Sequence, residues 1–406
     1  MSLVIQEQGN KRSDLNVSLL VAATLSYNLI TLAVNLLTSL FIGSTSIDTV
    51  VCLAVYAYFL VRAIPSLFSR ASKKDIIFVV AFLLLLLVSM LRDTNFSAIV
   101  GSISVFPQII LYYFIGRALL NDEHIEKVLF RFAPYVVLVT FVTYLVLTFL
   151  TSSQDEDNMS LAYYLLPFTI ISAYKMIKQR KYRIISILVF IGAMFLQVWT
   201  GTRGPLLCIL VAIILFVLLN PGKIAPKVLI TAVLVAGVVL LTSNLFVKWM
   251  EELQVYLEGR GTTNRIVEKF LEEEFLNSSG RDSLNEKTFA AIGNRMLSGY
   301  GLFADREFLG GQYCHNIFLE FIVNYGVIIG GVAFVALLVV LFRALSRRKA
   351  MPTLFLMLVC AGFVKLFVSS SYLIEPMFFM LLGAAFTKPV LNSEAISDTG
   401  EANESL

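Results

Sequence analysis

Apolar runs long enough to cross a bilayer recur along almost the whole chain, at about residues 19–42, 48–68, 75–91, 98–119, 128–150, 159–177, 184–199, 205–219, 228–247, 315–342, 353–371 and 374–387. A helix needs roughly 20 such residues to cross the hydrocarbon core. Lipid offers no partner for a bare peptide group, so each run must satisfy its own backbone as a helix. About twelve such runs predict an all-α integral membrane protein with one bundle. Composition agrees, with 58% hydrophobic residues, 15% charged residues and a mean hydropathy of +0.81. A soluble domain is closer to half apolar and a quarter charged, so lipid must be the solvent for most of this chain. The net charge of +4 is spread over loops and makes no nucleic-acid footprint.

Basic residues set the expected orientation. One alternating set of loops carries Lys11 and Arg12, then Arg70, Lys73 and Lys74, then Lys178, Arg180, Lys181 and Arg183, then Lys223 and Lys227, and finally Arg343, Arg347, Arg348 and Lys349. The other set holds little beyond Arg92 and Arg203, and one of its members is acidic at 152–157. The positive-inside rule makes the first set cytoplasmic, together with both termini. The chain then divides into nine helices over 1–247, a large external loop over 248–314, three helices over 315–390, and an acidic, disordered cytoplasmic tail over 391–406. The first run, from Leu19, lacks a small-residue cleavage site and reads as a span rather than a signal peptide.

The large loop carries helical periodicity. Ile266, Phe270 and Leu271 make one apolar stripe, and Leu284, Thr288, Ala291 and Ile292 make another. Ser283 with Glu286 reads as a capping box for the second helix, which is expected to stop near Gly299 and Gly301. Cys52, Cys208 and Cys360 fall inside spans, which leaves Cys314 without a disulfide partner. His124 and His315 are the only histidines, so no zinc pattern exists. His124 falls in a charged cytoplasmic loop and reads as solvated.

Four features at the expected outer face are able to carry chemistry. Arg203 lies in the turn Thr200-Gly201-Thr202-Arg203-Gly204-Pro205, where it either snorkels to lipid headgroups or clamps a phosphate with its planar fork. Arg281, in Ser279-Gly280-Arg281-Asp282, sits at a helix N-terminus that favours anions; the alternative is a surface ion pair with Asp282 or Glu286. Arg265 and Arg295 are weaker candidates of the same kind. His315 opens the run His315-Asn316-Ile317-Phe318-Leu319-Glu320. Its imidazole ionises near neutrality and suits proton abstraction from a hydroxyl, or else it only hydrogen-bonds at the interface. Glu320 shares a helix face with Asn316. Lys365 with Glu375 reads as an ion pair fixing the last hairpin. Tyr112, Tyr113, Tyr163 and Tyr164 either stack on sugars or pack as an aromatic belt. No nucleotide loop, Asp-x-Asp pair or Gly-x-Ser-x-Gly elbow is present, so a substrate on that face must arrive already activated.

Gly-Thr-Arg-Gly-Pro at 201–205, Ser-Gly-Arg at 279–281, Gly-Tyr-Gly at 299–301, His-Asn-Ile-Phe-Leu-Glu at 315–320 and Asn-Tyr-Gly at 324–326 together resemble the bacterial O-antigen polymerase and ligase superfamily. The resemblance covers mainly 185–342. It implies a C-type glycosyltransferase fold and inverting glycosyl transfer without metal or other cofactor. The implied donor and acceptor are glycans on undecaprenyl diphosphate, at the outer face of the bacterial inner membrane. Arg203 and Arg281 would bind the diphosphate, His315 would be the base, and Asn316, Glu320, Arg265 and Arg295 would support them. The polymerase is favoured over the ligase, which delivers the glycan to lipid A–core, because 369–376 and the segment after His315 look more like polymerases. Membrane lipid and a chain-length regulator protein are the implied partners. A flippase for lipid-linked oligosaccharide would instead show two similar halves and charges at the midplane, neither of which is seen here.

Overall fold

The computed structural model describes residues 2–41, 47–68, 71–91, 96–101, 104–119, 122–150, 155–178, 183–200, 202–219, 244–260, 267, 281–347 and 353–387. Every regular element among them is helical: α1 (Ser2–Phe41), α2 (Ile47–Phe68), α3 (Lys73–Met90), α4 (Phe96–Gly101), α5 (Val105–Ala118), α6 (Asp122–Leu150), α7 (Asp155–Lys178), α8 (Arg183–Trp199), α9 (Arg203–Leu218), α10 (Asn244–Glu258), α11 (Arg281–Asn294), α12 (Asp305–Phe308), α13 (Ile317–Tyr325), α14 (Val327–Ser346), α15 (Thr353–Leu358) and α16 (Pro376–Phe386). Four stretches, Leu15–Thr38, Thr49–Phe68, His124–Leu147 and Val327–Ser346, are long and apolar enough to cross a membrane. Shorter apolar helices fill the bundle between them, including Arg183–Val198, Gly204–Leu218 and Pro376–Phe386.

Burial separates the helices by role. Along α7, Leu161, Leu165, Leu166, Phe168 and Ile170 are all fully buried, so this helix runs through the middle of the bundle. It packs on α6, α8 and α9. By contrast α14 exposes Ile328, Ile329, Val332 and Phe342, and α2 exposes Val51, Leu53 and Val61. Contiguous apolar faces of this kind are a liability in water and the expected surface in lipid.

Helix α16 lies directly on α5, backbone to backbone. A Cβ at Gly116 would overlap the Met380 carbonyl, and one at Gly383 would overlap the Tyr113 carbonyl. Small residues allow such close approach where lipid supplies no hydrophobic drive between helices. The pair is then clasped by polar groups. The Asp75 carboxylate accepts from the Tyr113 hydroxyl at 2.6 Å and pairs with Arg117 Nε at 2.7 Å. Arg117 Nη1 also donates to the Thr387 hydroxyl at 3.1 Å. Tyr113 is therefore a packing and clasping residue, not a platform for sugars.

Several expected spans are interrupted. The run 98–119 forms two helices, α4 and α5, and the run 315–342 breaks at Gly326, whose φ of 82° separates α13 from α14. Hydropathy sees neither break, because the flanking residues stay apolar. The run 353–371 begins as α15, then widens into a π turn at Val359–Phe363 and tightens to a 3-10 turn at Val364–Phe367. A Cβ on Gly362 in the π turn would run into the Met377 backbone, and π turns are frequent at functional sites; the next charged residue is Lys365. His124 is not in a solvated loop but inside α6 and half-buried. Nearby, the buried Lys175 of α7 pairs with Glu126 of α6, a cross-helix pair that hydropathy also conceals. The run 228–247 lies mostly outside the described residues, as do the stripe Ile266, Phe270 and Leu271 and the tail 391–406.

The glycine contact yields a direct test. Gly116→Leu and Gly383→Leu should each reduce folded, monodisperse protein and lower the thermal midpoint in detergent, since forced overpacking costs about 1–3 kcal/mol or more. Gly331→Leu is the control, because a Cβ there meets nothing within 4 Å; it should behave as the parent.

Candidate active site

The chain between α11 and α13 folds back onto the bundle through a backbone crossing. Tyr300 N–H donates to the Val323 carbonyl at 2.7 Å, Gly301 N–H to Asn324 at 2.9 Å, and Val327 N–H to Met296 at 2.8 Å. Gly299 and Gly326, at φ 58° and 82°, face each other across this crossing, and a Cβ on either would run into backbone. Their left-handed conformations and the lack of side chains are both required here. The Gly-Tyr-Gly and Asn-Tyr-Gly segments are thus two halves of one device that ties the loop to the C-terminus of α13.

Helix α11 covers the crossing with the face that its periodicity predicts. Thr288 and Ala291 are buried, and Leu284 and Ile292 pack on Leu309, Cys314, Leu319 and Val323. The capping box does not form as expected. The helix already includes Arg281, so Ser283 lies within its first turn rather than before it. Extending a formed helix by a residue or two costs little, and a cap-like sequence does not by itself stop that extension.

His315 occupies the turn that leads into α13. Its φ is 51°, a left-handed value that is uncommon outside glycine. Asn316 follows it as N-cap, its Oδ1 accepting from Phe318 N–H at 3.0 Å and Leu319 N–H at 3.4 Å. Asn316 therefore spends its side chain on the helix end, not alongside Glu320. The His315 ring stands against the Tyr313 ring, with centroids 4.2 Å apart.

Below this turn lies a buried ionic network. Arg306 Nη1 pairs with Asp305 Oδ1 and, at 3.4 Å, with Glu320 Oε1. Glu320 also accepts from the Ser371 hydroxyl and from Tyr372 N–H at 3.2 Å. Asp305 Oδ2 accepts from Cys314 N–H at 3.2 Å. Burial alone would make Arg306 easier to deprotonate, but the Asp305 and Glu320 carboxylates outweigh it and raise its pKa, so the guanidinium stays charged. Burial, with the same two carboxylates, also pushes the Cys314 thiol well up. Cys314 is accordingly no nucleophile; it is buried, with the Thr288 hydroxyl 4.0 Å from its sulfur.

A second polar group borders α9. Lys365 pairs with Glu375, as expected from the sequence, and its ammonium sits 4.8 Å over the Tyr163 ring. A Cβ on Gly204 would overlap the Tyr163 hydroxyl. The lysine is thereby set close to the start of α9, where Arg203 is the first residue. Arg281 is likewise the first residue of α11. The side chains of Arg203 and Arg281, and Arg265 altogether, lie outside the described residues. Arg295 stacks over Tyr300 at 4.9 Å and supports the crossing. Asp305, Arg306, Ser371 and Tyr372 carry no site signature of their own in the sequence. The adjacent Asp305-Arg306-Glu307, an acidic–basic–acidic run just before the histidine, was the available signal.

Apolar helices of membrane-crossing length, together with a polar backbone crossing and the left-handed His315 turn beside it, are consistent with a helical membrane protein. Residues 187–335, from α8 into α14, match the family model described as O-Antigen ligase. That match supports a likeness to the O-antigen ligase and polymerase superfamily, whose members are glycosyl-transferring enzymes of surface polysaccharide biosynthesis. No curated protein and no solved structure matches the chain.

Proposed function

We propose that this chain polymerises oligosaccharide repeat units carried on undecaprenyl diphosphate, by inverting glycosyl transfer at the outer face of the bacterial inner membrane. The observation that carries the proposal is the His315 turn, held at φ 51° beside the Asn316 cap within the segment that matches the family. In the reaction a hydroxyl oxygen of the acceptor sugar bonds to the anomeric carbon of the donor. The bond from that carbon to the diphosphate oxygen breaks, and its electron pair leaves with the lipid diphosphate. His315 takes the hydroxyl proton, which makes the oxygen nucleophilic as the bond forms. Arg203 and Arg281, each at the first position of a helix, supply fixed positive charge for the leaving diphosphate. Arginine keeps its charge in a partly apolar setting, so it suits the role elsewhere filled by a divalent metal.

A second reading follows from the family description itself. A ligase performs the same donor chemistry but delivers the glycan to lipid A–core. Purified protein given lipid-linked repeat units alone separates the two. A ladder of products is expected for the polymerase, whereas product only after addition of lipid A–core assigns the ligase.

The base assignment is tested in the same assay. His315→Ala should lower turnover by about 10²–10⁴-fold while donor binding persists, as for loss of a positioned base. His315→Gln should be equally impaired; if it restores product at matched expression, the histidine only hydrogen-bonds.

Arg203→Lys and Arg281→Lys retain charge but lose the bidentate fork. Each should weaken turnover strongly, and Arg→Ala should raise the barrier by roughly 2–4 kcal/mol. Parental turnover in Arg281→Ala would make it an ordinary surface residue.

A further inference from the structure

Three non-glycine residues among those described have left-handed backbones: Phe303 at φ 62°, His315 at 51° and Ser370 at 66°. They are distant in sequence, yet each abuts a member of the same buried network. Phe303 precedes Asp305 by two residues, His315 follows Cys314, and Ser370 precedes Ser371. Strained backbones persist where surrounding contacts over-determine them, and here one set of contacts serves all three. Asp305 holds the Cys314 N–H, which fixes the residue before His315. Glu320 holds Ser371 and Tyr372. Arg306 joins the two carboxylates and lies 4.8 Å over the Phe303 ring. It also lies 5.8 Å from the Tyr313 ring, which in turn packs against the imidazole.

Arg306 differs from the two arginines assigned to the diphosphate. Its charge is already met by two buried carboxylates, Asp305 at 0% and Glu320 at 1% side-chain exposure. It has no surplus charge to offer a phosphate. Its contacts lead instead to His315 by two routes, through Asp305 to the Cys314 amide and through the Tyr313 ring. We propose that Arg306, bridging Asp305 and Glu320, is the positioning residue for the His315 imidazole, and that Ser371 and Tyr372 couple this position to the last hairpin. The proposal rests on His315 being the base.

A double-mutant cycle on the full-length protein in nanodiscs, supplied with undecaprenyl-diphosphate-linked repeat units, tests it. Turnover, donor affinity and thermal midpoint are measured for Arg306→Lys, His315→Ala and the pair. Arg306→Lys should lower turnover by about tenfold or more, as for a misplaced reacting group. Donor affinity should stay within about twofold, and in the His315→Ala background the same change should alter residual turnover by less than about twofold, the signature of one coupled unit. An equal fold loss in both backgrounds would mean that Arg306 acts independently of the histidine, and would overturn the proposal. A purely structural arginine would give that additive result and lower the thermal midpoint alike in both. Should Arg306→Lys fail to fold, Ser371→Ala, which removes one donor to Glu320, carries the same cycle with the same two outcomes. Parental turnover in His315→Ala would sink the base reading and this proposal together, whereas a large His315→Ala loss with additive Arg306 effects sinks only the positioning.

Discussion

The bridge from Arg306 to Asp305 and Glu320 is the interaction on which the end of the bundle depends. Two carboxylates buried beside each other repel, and neither is tolerable at that depth without a counter-charge. A single planar guanidinium serves both, and removing one partner of a buried ionic set leaves an uncompensated charge that costs about 3–5 kcal/mol. The three left-handed residues around the bridge each cost on the order of 1–3 kcal/mol, and the network is what offsets them.

The rest of the architecture delivers chain segments to that bridge. Glycine contacts bring α16 onto α5, and the Asp75, Arg117 and Thr387 clasp holds them there. With α16 set, the preceding 3-10 turn carries Lys365 to Glu375, and the intervening loop hands Ser371 and Tyr372 to Glu320. From the other direction, the glycine crossing at 299–301 and 324–326 anchors the loop that carries Asp305, Arg306 and His315. Tyr372 locks the two sides together, since its hydroxyl meets Asn324 and Tyr325 at 2.8 Å each. Exposed apolar faces on α2 and α14 are thus kept apart from the polar knot around Arg306.

Much of this was legible in the sequence, and what was missed has physical reasons. Helical class, the positions of most apolar helices and the Lys365–Glu375 pair follow from hydropathy and charge alone. The face of α11 that is buried follows from its period. The histidine stood out because few titratable groups sit at a membrane boundary. Breaks within apolar runs were invisible, because Gly326 and the π turn at Val359–Phe363 change backbone geometry without changing polarity. Arg306 looked like one more charge in a polar loop, and only the fold shows that its partners lie 14 residues downstream as well as next door. Ser371 was indistinguishable from its neighbours Ser369 and Ser370, since a hydroxyl acquires its role from what it reaches.

Everything proposed for His315 requires it to face the compartment in which lipid-linked glycans are polymerised, so the side of the membrane is the measurement that bears most directly on the function. Single cysteines placed by Asp155→Cys, Asn277→Cys and Arg347→Cys, in a background with the four native cysteines replaced, should be probed in intact cells with an impermeant thiol reagent. Labelling from outside at positions 155 and 277, with position 347 protected until the membrane is opened, is the expected result. External labelling at position 347, with 155 and 277 protected, would turn the protein over and put His315 on the side where these substrates are built rather than joined.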